Sequence, residues 1–311
     1  MKRLLHFLKS KARQSALADV SARMEEVAEA LVRAAPDGLR MEEALELGQF
    51  ERWVLLQTVL GSAPHAALHF LHVPKTGGTT LTAALAVDPR FLVISVDGPR
   101  DSFMRQVSRL LEDEGSKVVF IRAHHGLSML KQSGTDKCVD FSFTTIRDPA
   151  AIHASNVNMI VRRIRRLVED QSQSKEEKEY AARWLDVMQG RHERDVDFAL
   201  EILSTAEYRK EMGAVYAKML DMPGWKNEVQ RGRLLCLDME ELDRVFEEGF
   251  GYVKPPSRKN VNTDGPLDAD QILGPVLKSL LADDLKIFRF LQASKADPEQ
   301  VIASLRALTE R

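Results

Sequence analysis

One segment constrains the fold of this chain more than any other: the apolar run, tight turn and helix start at residues 68–86, LHFLHVPKTGGTTLTAALA. Leu68–Val73 has the composition of a short buried strand, and Pro74–Gly78 predicts a tight turn. Thr79–Ala86 predicts the start of a helix. A strand that passes through such a turn into a helix presents unpaired backbone N–H groups and the positive end of the helix. The segment therefore predicts an anion-binding turn in an α/β fold.

The residue types in this turn suit a phosphate group. Glycines allow the backbone to approach a ligand closely, a lysine supplies a positive charge, and threonines supply hydroxyl donors. The predicted phosphate-binding residues are Lys75, Thr76, Gly77, Gly78, Thr79 and Thr80. The order differs from the Walker A motif, in which Lys-Ser/Thr follows the last glycine, and this disfavours a magnesium-dependent kinase. The alternative is an ordinary strand-turn-helix whose glycines serve only the bend.

Further short apolar runs alternate with helical segments along the chain. The strand candidates are Leu68–Val73, Phe91–Val96, Lys117–Ala123, Phe141–Ile146 and Arg233–Leu237. Strands separated by helices favour a mostly parallel, doubly wound sheet flanked by helices, with its ligand site beyond the carboxyl ends of the strands. We therefore expect a P-loop-like α/β fold.

The domain organisation follows from a change in pattern near residue 66. Val20–Val32 and Met41–Leu60 have helical spacing of apolar residues, so residues 1–66 are predicted to form an N-terminal helical extension. Residues 67–311 are predicted to form one α/β domain, with a helical insertion at about 156–222.

Charge and cysteine content exclude several classes of protein. Lys and Arg total 44 against 46 Asp and Glu, so the formal net charge of −2 argues against general nucleic-acid binding. Cys138 and Cys236 are too few for a disulfide scaffold and lie in no Cys/His cluster typical of zinc. No apolar run is long enough for a transmembrane helix. The basic start, MKRLLHFLKSKARQ, is interpreted as a packing helix, with weak contact to a membrane surface as the alternative. A cytoplasmic location is expected.

The run HVPKTGGTTL at residues 72–81 closely resembles the 5'-phosphosulfate loop of sulfotransferases that use 3'-phosphoadenosine 5'-phosphosulfate, in particular the heparan 2-O-like members of the carbohydrate branch. A second run, FTTIRDPAAIHAS, places Ser155 eight residues after Arg147. In the family an Arg and a Ser at this spacing hold the 3'-phosphate of the donor, so the resemblance assigns that role to Arg147 and Ser155. The alternative for Arg147 is a structural ion pair with Asp148 or another carboxylate. Ile152 departs from the family, which commonly has a second arginine there.

A third run, PPSRKNVNTDG at residues 255–265, is similar to the late donor-binding loop of the same family. By this resemblance Arg258 and Lys259 close over the 3'-phosphate. The alternative is a solvated basic loop, since surface loops commonly carry such pairs.

Transfer of a sulfuryl group also requires a base for the acceptor hydroxyl. KVVFIRAHHGL places His124 and His125 directly after the third strand candidate, and imidazole accepts protons near neutral pH. Several carbohydrate sulfotransferases of the family have a histidine after the corresponding strand as general base, which matches His124, with His125 as the second candidate. Other branches of the family use a carboxylate as the base. Lys75 is predicted to stabilise the departing phosphate, and the reaction needs no metal ion. The alternative for either histidine is packing or capping at the strand end.

The resemblance implies a sulfotransferase that uses 3'-phosphoadenosine 5'-phosphosulfate to modify a hydroxyl, of a carbohydrate or a glycolipid. Arg162, Arg163, Arg165 and Arg166 follow on the acceptor side and could attract an acidic acceptor, although a solvated helix face is the preferred interpretation. Two alternatives remain: a sulfotransferase-like protein that binds the nucleotide without turnover, and an atypical P-loop kinase.

Overall fold

The computed structural model describes residues 41–62, 65–112, 117–124, 126–169, 174–251, 268 and 275–309. Within these residues the chain is α/β, with a five-stranded parallel sheet flanked by helices. The strand order is β2-β3-β1-β4-β5, in which the strands are β1 (Ala67–Leu71), β2 (Phe91–Ser95), β3 (Val118–Ala123), β4 (Phe141–Ile146) and β5 (Leu234–Asp238). The five predicted strands are confirmed to within two residues at each end.

The strands are apolar over nearly their whole length because a parallel sheet is covered on both faces. All five residues of β1 are buried, including His69. β3 pairs in parallel with β1, so that His69 lies opposite Ile121, and with β2, so that Ile94 lies opposite the same residue.

Two helices match segments that the sequence predicts individually. Met41–Leu60 was predicted as a helix and forms α1, and the predicted helix after the turn forms α2. In chain order they are α1 (Met41–Ser62), α2 (Gly78–Val87), α3 (Arg100–Glu112), α4 (Leu127–Gln132), α5 (Pro149–Glu169), α6 (Lys175–Val187), α7 (Val196–Ser204), α8 (Ala206–Met212), α9 (Val215–Met219), α10 (Trp225–Gln230), α11 (Met239–Phe250), α12 (Pro275–Ala293) and α13 (Pro298–Thr309).

The chain divides into two compact units. Among the described residues, the first unit comprises those from Met41 to Leu71, from Leu85 to Ser142 and from Ala307 to Thr309, and the second comprises those from His72 to Ala84 and from Phe143 to Arg306. The predicted domain boundary near residue 66 stays a prediction. The predicted helix at Val20–Val32 lies outside the described residues.

Each unit has its own buried core. In the first, Trp53 of α1 is fully buried and its ring meets the His69 ring edge-on at 5.5 Å, while Phe103 and Val107 present the apolar face of α3. In the second, Trp184, Tyr208 and Phe198 are buried among the helices that follow α5. No helix in the described parts of the chain is both long and apolar enough to cross a bilayer.

Candidate functional site: a cationic turn in the second unit

The turn that follows β1 belongs to the second unit and has an uncommon backbone. Lys75 has φ +66° and Gly77 has φ +85°, so two residues of this turn are in the left-handed region. Gly77 adopts this conformation without strain, whereas a lysine there costs of the order of 1 kcal/mol and requires support from its surroundings. The contacts that hold Lys75 in this conformation are therefore relevant to the function of the turn.

Hydrogen bonds within the second unit fix the turn to the end of β4. The buried Thr76 hydroxyl donates to the Val73 carbonyl at 2.7 Å, and the Thr145 hydroxyl donates to the Thr76 carbonyl at 3.1 Å. The two hydroxyls also contact each other at 2.5 Å. Thr76 is one of the predicted phosphate-binding residues, but its hydroxyl is hydrogen-bonded to Val73 and Thr145 and so supports the turn itself.

Helix α2 begins directly after the turn at Gly78. The N–H groups of Thr80 and Leu81 donate to the Gly77 carbonyl at 3.0 and 3.2 Å. The N–H groups of Gly78 and Thr79 have no hydrogen-bond partner among the described residues, as expected for the first turn of a helix. The Thr79 side chain is exposed and that of Thr80 is half-buried. These groups provide donors of the kind that bind an anion.

Arg147, from the second sequence motif, lies against this turn. Its Nη1 donates to the Lys75 carbonyl at 2.8 Å, although the two residues lie 72 positions apart in the chain. Its Nε and Nη2 have no hydrogen-bond partner in the part of the chain that the structure describes. Burial lowers the pKa of the Arg147 guanidinium, which is half-buried but remains a cation. One edge of the guanidinium thus supports the turn and leaves donors for a ligand.

The predicted alternative for Arg147, an ion pair with Asp148, is not present among the described residues. The Asp148 carboxylate instead accepts hydrogen bonds from the N–H groups of Ala150, at 2.7 Å, and Ala151, at 3.4 Å. Asp148 is therefore the N-terminal cap of α5, and Pro149 occupies the first helical position, where its missing N–H costs nothing. The Arg-Asp-Pro sequence combines one cation near the turn with a helix start.

The Lys75 ammonium lies within a group of positive charges. Its Nζ donates to the Met159 thioether sulfur at 3.1 Å, a weak acceptor for a full charge. Burial first, and then the charges of Arg163, Arg162 and Arg147, lower the pKa of Lys75 to about 8. Four cations therefore lie near this turn. Their mutual electrostatic repulsion is reduced when an anion binds between them.

Helix α5 supplies the other side of the site. Ser155 and Met159 lie one helical turn apart, and Arg162 and Arg163 follow one turn later, so this face runs towards Lys75. The Arg163 guanidinium carbon also lies 5.0 Å from the centre of the Tyr180 ring, and its Nη2 lies 3.6 Å from Glu177 Oε1. Arg165, by contrast, pairs with Glu169 at 3.3 Å on the exposed side. Arg165 therefore fits the predicted solvated helix face. Arg162 and Arg163, by contrast, are close enough to Lys75 to lower its pKa.

The predicted base, His124, belongs to the first unit. Its backbone N–H donates to the Asp97 carboxylate at 2.5 Å, and its Nε2 lies 2.7 Å from Nη2 of Arg122. A guanidinium can only donate, so Nε2 accepts this hydrogen bond and the proton of the neutral ring is on Nδ1. In this arrangement the basic lone pair of His124 is engaged, and removal of a proton from an acceptor would require Arg122 to move.

Sequence reasoning missed Met159 and Tyr216. Met159 is four positions after Ser155, and this helical spacing is a signal that could have placed it beside the predicted site. The Tyr216 hydroxyl is hydrogen-bonded to the backbone N–H and C=O of Arg147 at 2.8 and 2.7 Å. These two residues are 69 positions apart, and no local pattern connects them.

Three predicted site residues, His125, Arg258 and Lys259, lie outside the described residues. Among the residues that are described, no group of three or more His, Cys, Asp or Glu side chains is placed to hold a metal ion. Comparison with family models, curated proteins and solved structures gave no match. The functional interpretation therefore depends on the geometry of the cationic turn and on the motifs that form it.

Proposed function

We propose that this protein is a sulfotransferase that transfers a sulfuryl group from 3'-phosphoadenosine 5'-phosphosulfate to an acceptor hydroxyl. The observation that carries the proposal is the hydrogen bond from Arg147 Nη1 to the Lys75 carbonyl at 2.8 Å. It joins the two motifs that resemble the 5'-phosphosulfate loop and the 3'-phosphate site. A donor with a phosphate at each end of its ribose requires two cationic groups at such a spacing.

The roles of the residues follow from the charges of the donor. The Lys75 ammonium and the Gly78 and Thr79 amides bind the 5'-phosphosulfate, while Arg147 and Ser155 bind the 3'-phosphate. As the acceptor oxygen attacks sulfur, the bond from sulfur to the bridging phosphate oxygen breaks, and negative charge develops on that oxygen. Lys75 stabilises this charge, because a cation fixed beforehand needs little reorganisation. The products are the sulfated acceptor and adenosine 3',5'-bisphosphate.

The proton of the acceptor hydroxyl must leave during the transfer. His124 is the proposed base, with His125 as the second candidate, and the hydrogen bond from Arg122 orients the ring until the acceptor arrives. The proposed acceptor is a carbohydrate or glycolipid hydroxyl. Arg162 and Arg163 favour an acceptor or donor group with negative charge close to Lys75.

The proposed fold is P-loop-like and doubly wound. The strand order β2-β3-β1-β4-β5 supports this, because the chain proceeds from β1 to one side of the sheet and later returns to the other. Ligands of doubly wound sheets bind beyond the carboxyl end of the strand at which the order reverses. The turn at Pro74–Gly78 directly follows that strand.

A second candidate function is a nucleotide-binding protein without turnover. The observation that favours it is the contact between Arg122 Nη2 and His124 Nε2 at 2.7 Å, which engages the lone pair of the proposed base. Arg122→Ala distinguishes the two functions: it should raise turnover in an enzyme whose base is His124, because the lone pair of Nε2 is released, whereas a protein without turnover gains none.

Binding and turnover are the tests. Calorimetry should show that adenosine 3',5'-bisphosphate binds at least tenfold more tightly than ATP, a difference of about 1.4 kcal/mol, and the reverse order would favour an atypical kinase. Turnover is then measured by transfer of 35S from labelled donor to a panel of saccharides and glycolipids. Failure to bind adenosine 3',5'-bisphosphate would remove the proposal, and binding without transfer to any acceptor would favour the second candidate.

A further inference from the structure

Arg147 is held through its backbone by a single side chain. The Arg147 N–H donates to the Tyr216 hydroxyl oxygen at 2.8 Å, and the same hydroxyl donates to the Arg147 carbonyl at 2.7 Å. Arg147 lies between the end of β4 and the start of α5, where neither the sheet nor the helix pairs these two groups. One hydroxyl therefore satisfies both and restricts the backbone dihedral angles that direct the guanidinium.

Tyr216 can perform both hydrogen-bonding roles only while it stays protonated. It is 1% exposed. Burial raises the pKa of its hydroxyl, so the proton that is donated to the Arg147 carbonyl remains in place throughout the physiological range. The Tyr216 ring also lies 6.5 Å from that of Phe288 on α12.

Tyr216 is in turn fixed by a buried carboxylate. Asp284 of α12 is 1% exposed and accepts hydrogen bonds from the N–H groups of Val215 and Tyr216 at 2.8 and 2.9 Å. These are the first two residues of α9, a helix of only five residues whose amides would otherwise be unpaired. A charge that accepts backbone hydrogen bonds in the interior is well placed to hold a short helix in one position.

We infer that Tyr216 and Asp284 are positioning residues for Arg147 and thereby set the preference of the site for a ligand with a second phosphate group. The inference rests on the proposed function. A continuous series of hydrogen bonds leads from Asp284 through Tyr216 to the Arg147 backbone, and from the Arg147 guanidinium to the Lys75 carbonyl. Loss of the Tyr216 hydroxyl should let Arg147 turn away from the 3'-phosphate but leave the contacts to the 5'-phosphate in place.

The test compares Tyr216→Phe with Tyr208→Phe. Tyr208 is a matched control because its hydroxyl is also buried in the second unit, where it lies 2.9 Å from His153 Nδ1. For Tyr216→Phe we expect about tenfold weaker binding of adenosine 3',5'-bisphosphate and less than about twofold weaker binding of adenosine 5'-phosphate. Tyr208→Phe should change the affinity for neither nucleotide. An equal loss for both nucleotides, or no loss for either, would overturn the inference.

A conservative second variant guards against a folding defect. Asp284→Asn retains the size of the side chain and one acceptor oxygen, and it should reproduce the selective loss at a smaller magnitude. Thermal unfolding identifies the variants that remain folded at the temperature of the binding experiment. If Asp284→Asn is folded and retains the nucleotide preference of the natural protein, Asp284 has no positioning role.

A titration separates failure of the inference from failure of the proposed function. The Arg147 charge contributes to the lowered pKa of Lys75, so a displaced Arg147 should move the titration of Lys75 towards higher pH. This is measured by NMR of 13C-labelled lysine, with the Lys75 signal assigned from Lys75→Arg. If the natural protein binds neither nucleotide, the proposed function fails. An unchanged Lys75 titration in folded Tyr216→Phe would by itself overturn the positioning role.

Discussion

At the scale of single residues, Lys75 is the group whose chemistry depends most on its neighbours. Its burial and three nearby arginines oppose its positive charge, and its pKa is lowered to about 8. A bound anion reverses this effect, so the ligand complex should retain the proton to higher pH than the free protein does. Above pH 8, therefore, binding should take up a proton.

This gives the first prediction. The affinity for adenosine 3',5'-bisphosphate should be nearly constant between pH 7 and 8, where the phosphate groups of the ligand stay fully ionised, and fall by up to tenfold per pH unit above pH 8. Calorimetry in buffers of different ionisation enthalpy measures both the affinity and the proton uptake. Lys75→Arg keeps the charge at all pH values and should abolish the pH dependence. Constant affinity in the natural protein up to pH 9.5 would show that Lys75 does not titrate at the site.

The second prediction concerns Met159, whose sulfur is the acceptor for Lys75 Nζ at 3.1 Å. A thioether is a weak acceptor and releases the ammonium readily to an anion. In Met159→Gln an amide oxygen should hold Lys75 more strongly and weaken nucleotide binding by about threefold to tenfold. Met159→Leu, of similar volume but without an acceptor, should bind at least as tightly as the natural protein. Equal affinities in the two variants would mean that Met159 only fills space.

At the scale of structural elements, the turn between β1 and α2 depends on a glycine that must be left-handed. Gly77 has φ +85°, and a Cβ there would lie 3.4 Å from Met239 Cγ on α11, an ordinary contact. Backbone conformation rather than crowding therefore sets the cost of a substitution at this position.

The third prediction is that Gly77→Ala lowers the free energy of unfolding by about 1 kcal/mol and also weakens nucleotide binding, since the first amides of α2 are displaced. Gly232→Ala is the matched control, because Gly232 has φ +66° and no atom within 4 Å of its ideal Cβ. Gly232→Ala should lower the free energy of unfolding, measured in urea, by a similar amount without weakening nucleotide binding. If both variants bind the nucleotide normally, the conformation of the turn is not required for the ligand.

At the scale of the whole molecule, stability should decline in mild acid because each compact unit contains a buried neutral histidine. Burial lowers the pKa of His69 to about 3 and that of His153 to about 4. His69 contacts the Ser142 hydroxyl at 3.1 Å, and His153 contacts that of Tyr208 at 2.9 Å. Between pH 6.5 and 4 the unfolded chain binds protons at these positions that the folded chain does not bind, so folding weakens as the pH falls.

The fourth prediction is a loss of about 1.4 kcal/mol of stability per histidine for each pH unit in that interval. Urea unfolding at pH 7.0, 6.0 and 5.0 measures the slope. His69→Gln and His153→Gln should each be less stable at pH 7 but have a shallower pH dependence, whereas replacement of the exposed His192 by Gln should leave the curve unchanged. An unaltered slope in both core variants would assign the acid sensitivity to other groups.

Local sequence patterns were sufficient to predict the strands, the turn and the helix that follows it, because these depend on apolar runs and on the conformational freedom of glycine. Local motifs also predicted Lys75 and Arg147 as residues of the proposed site. The folded chain was needed to see that Arg147 contacts the Lys75 carbonyl, that Lys75 donates to Met159, and that Tyr216 is hydrogen-bonded to the Arg147 backbone. Such contacts join residues about 70 to 85 positions apart. Their geometry is set by how strands and helices pack, which no short stretch of residues encodes.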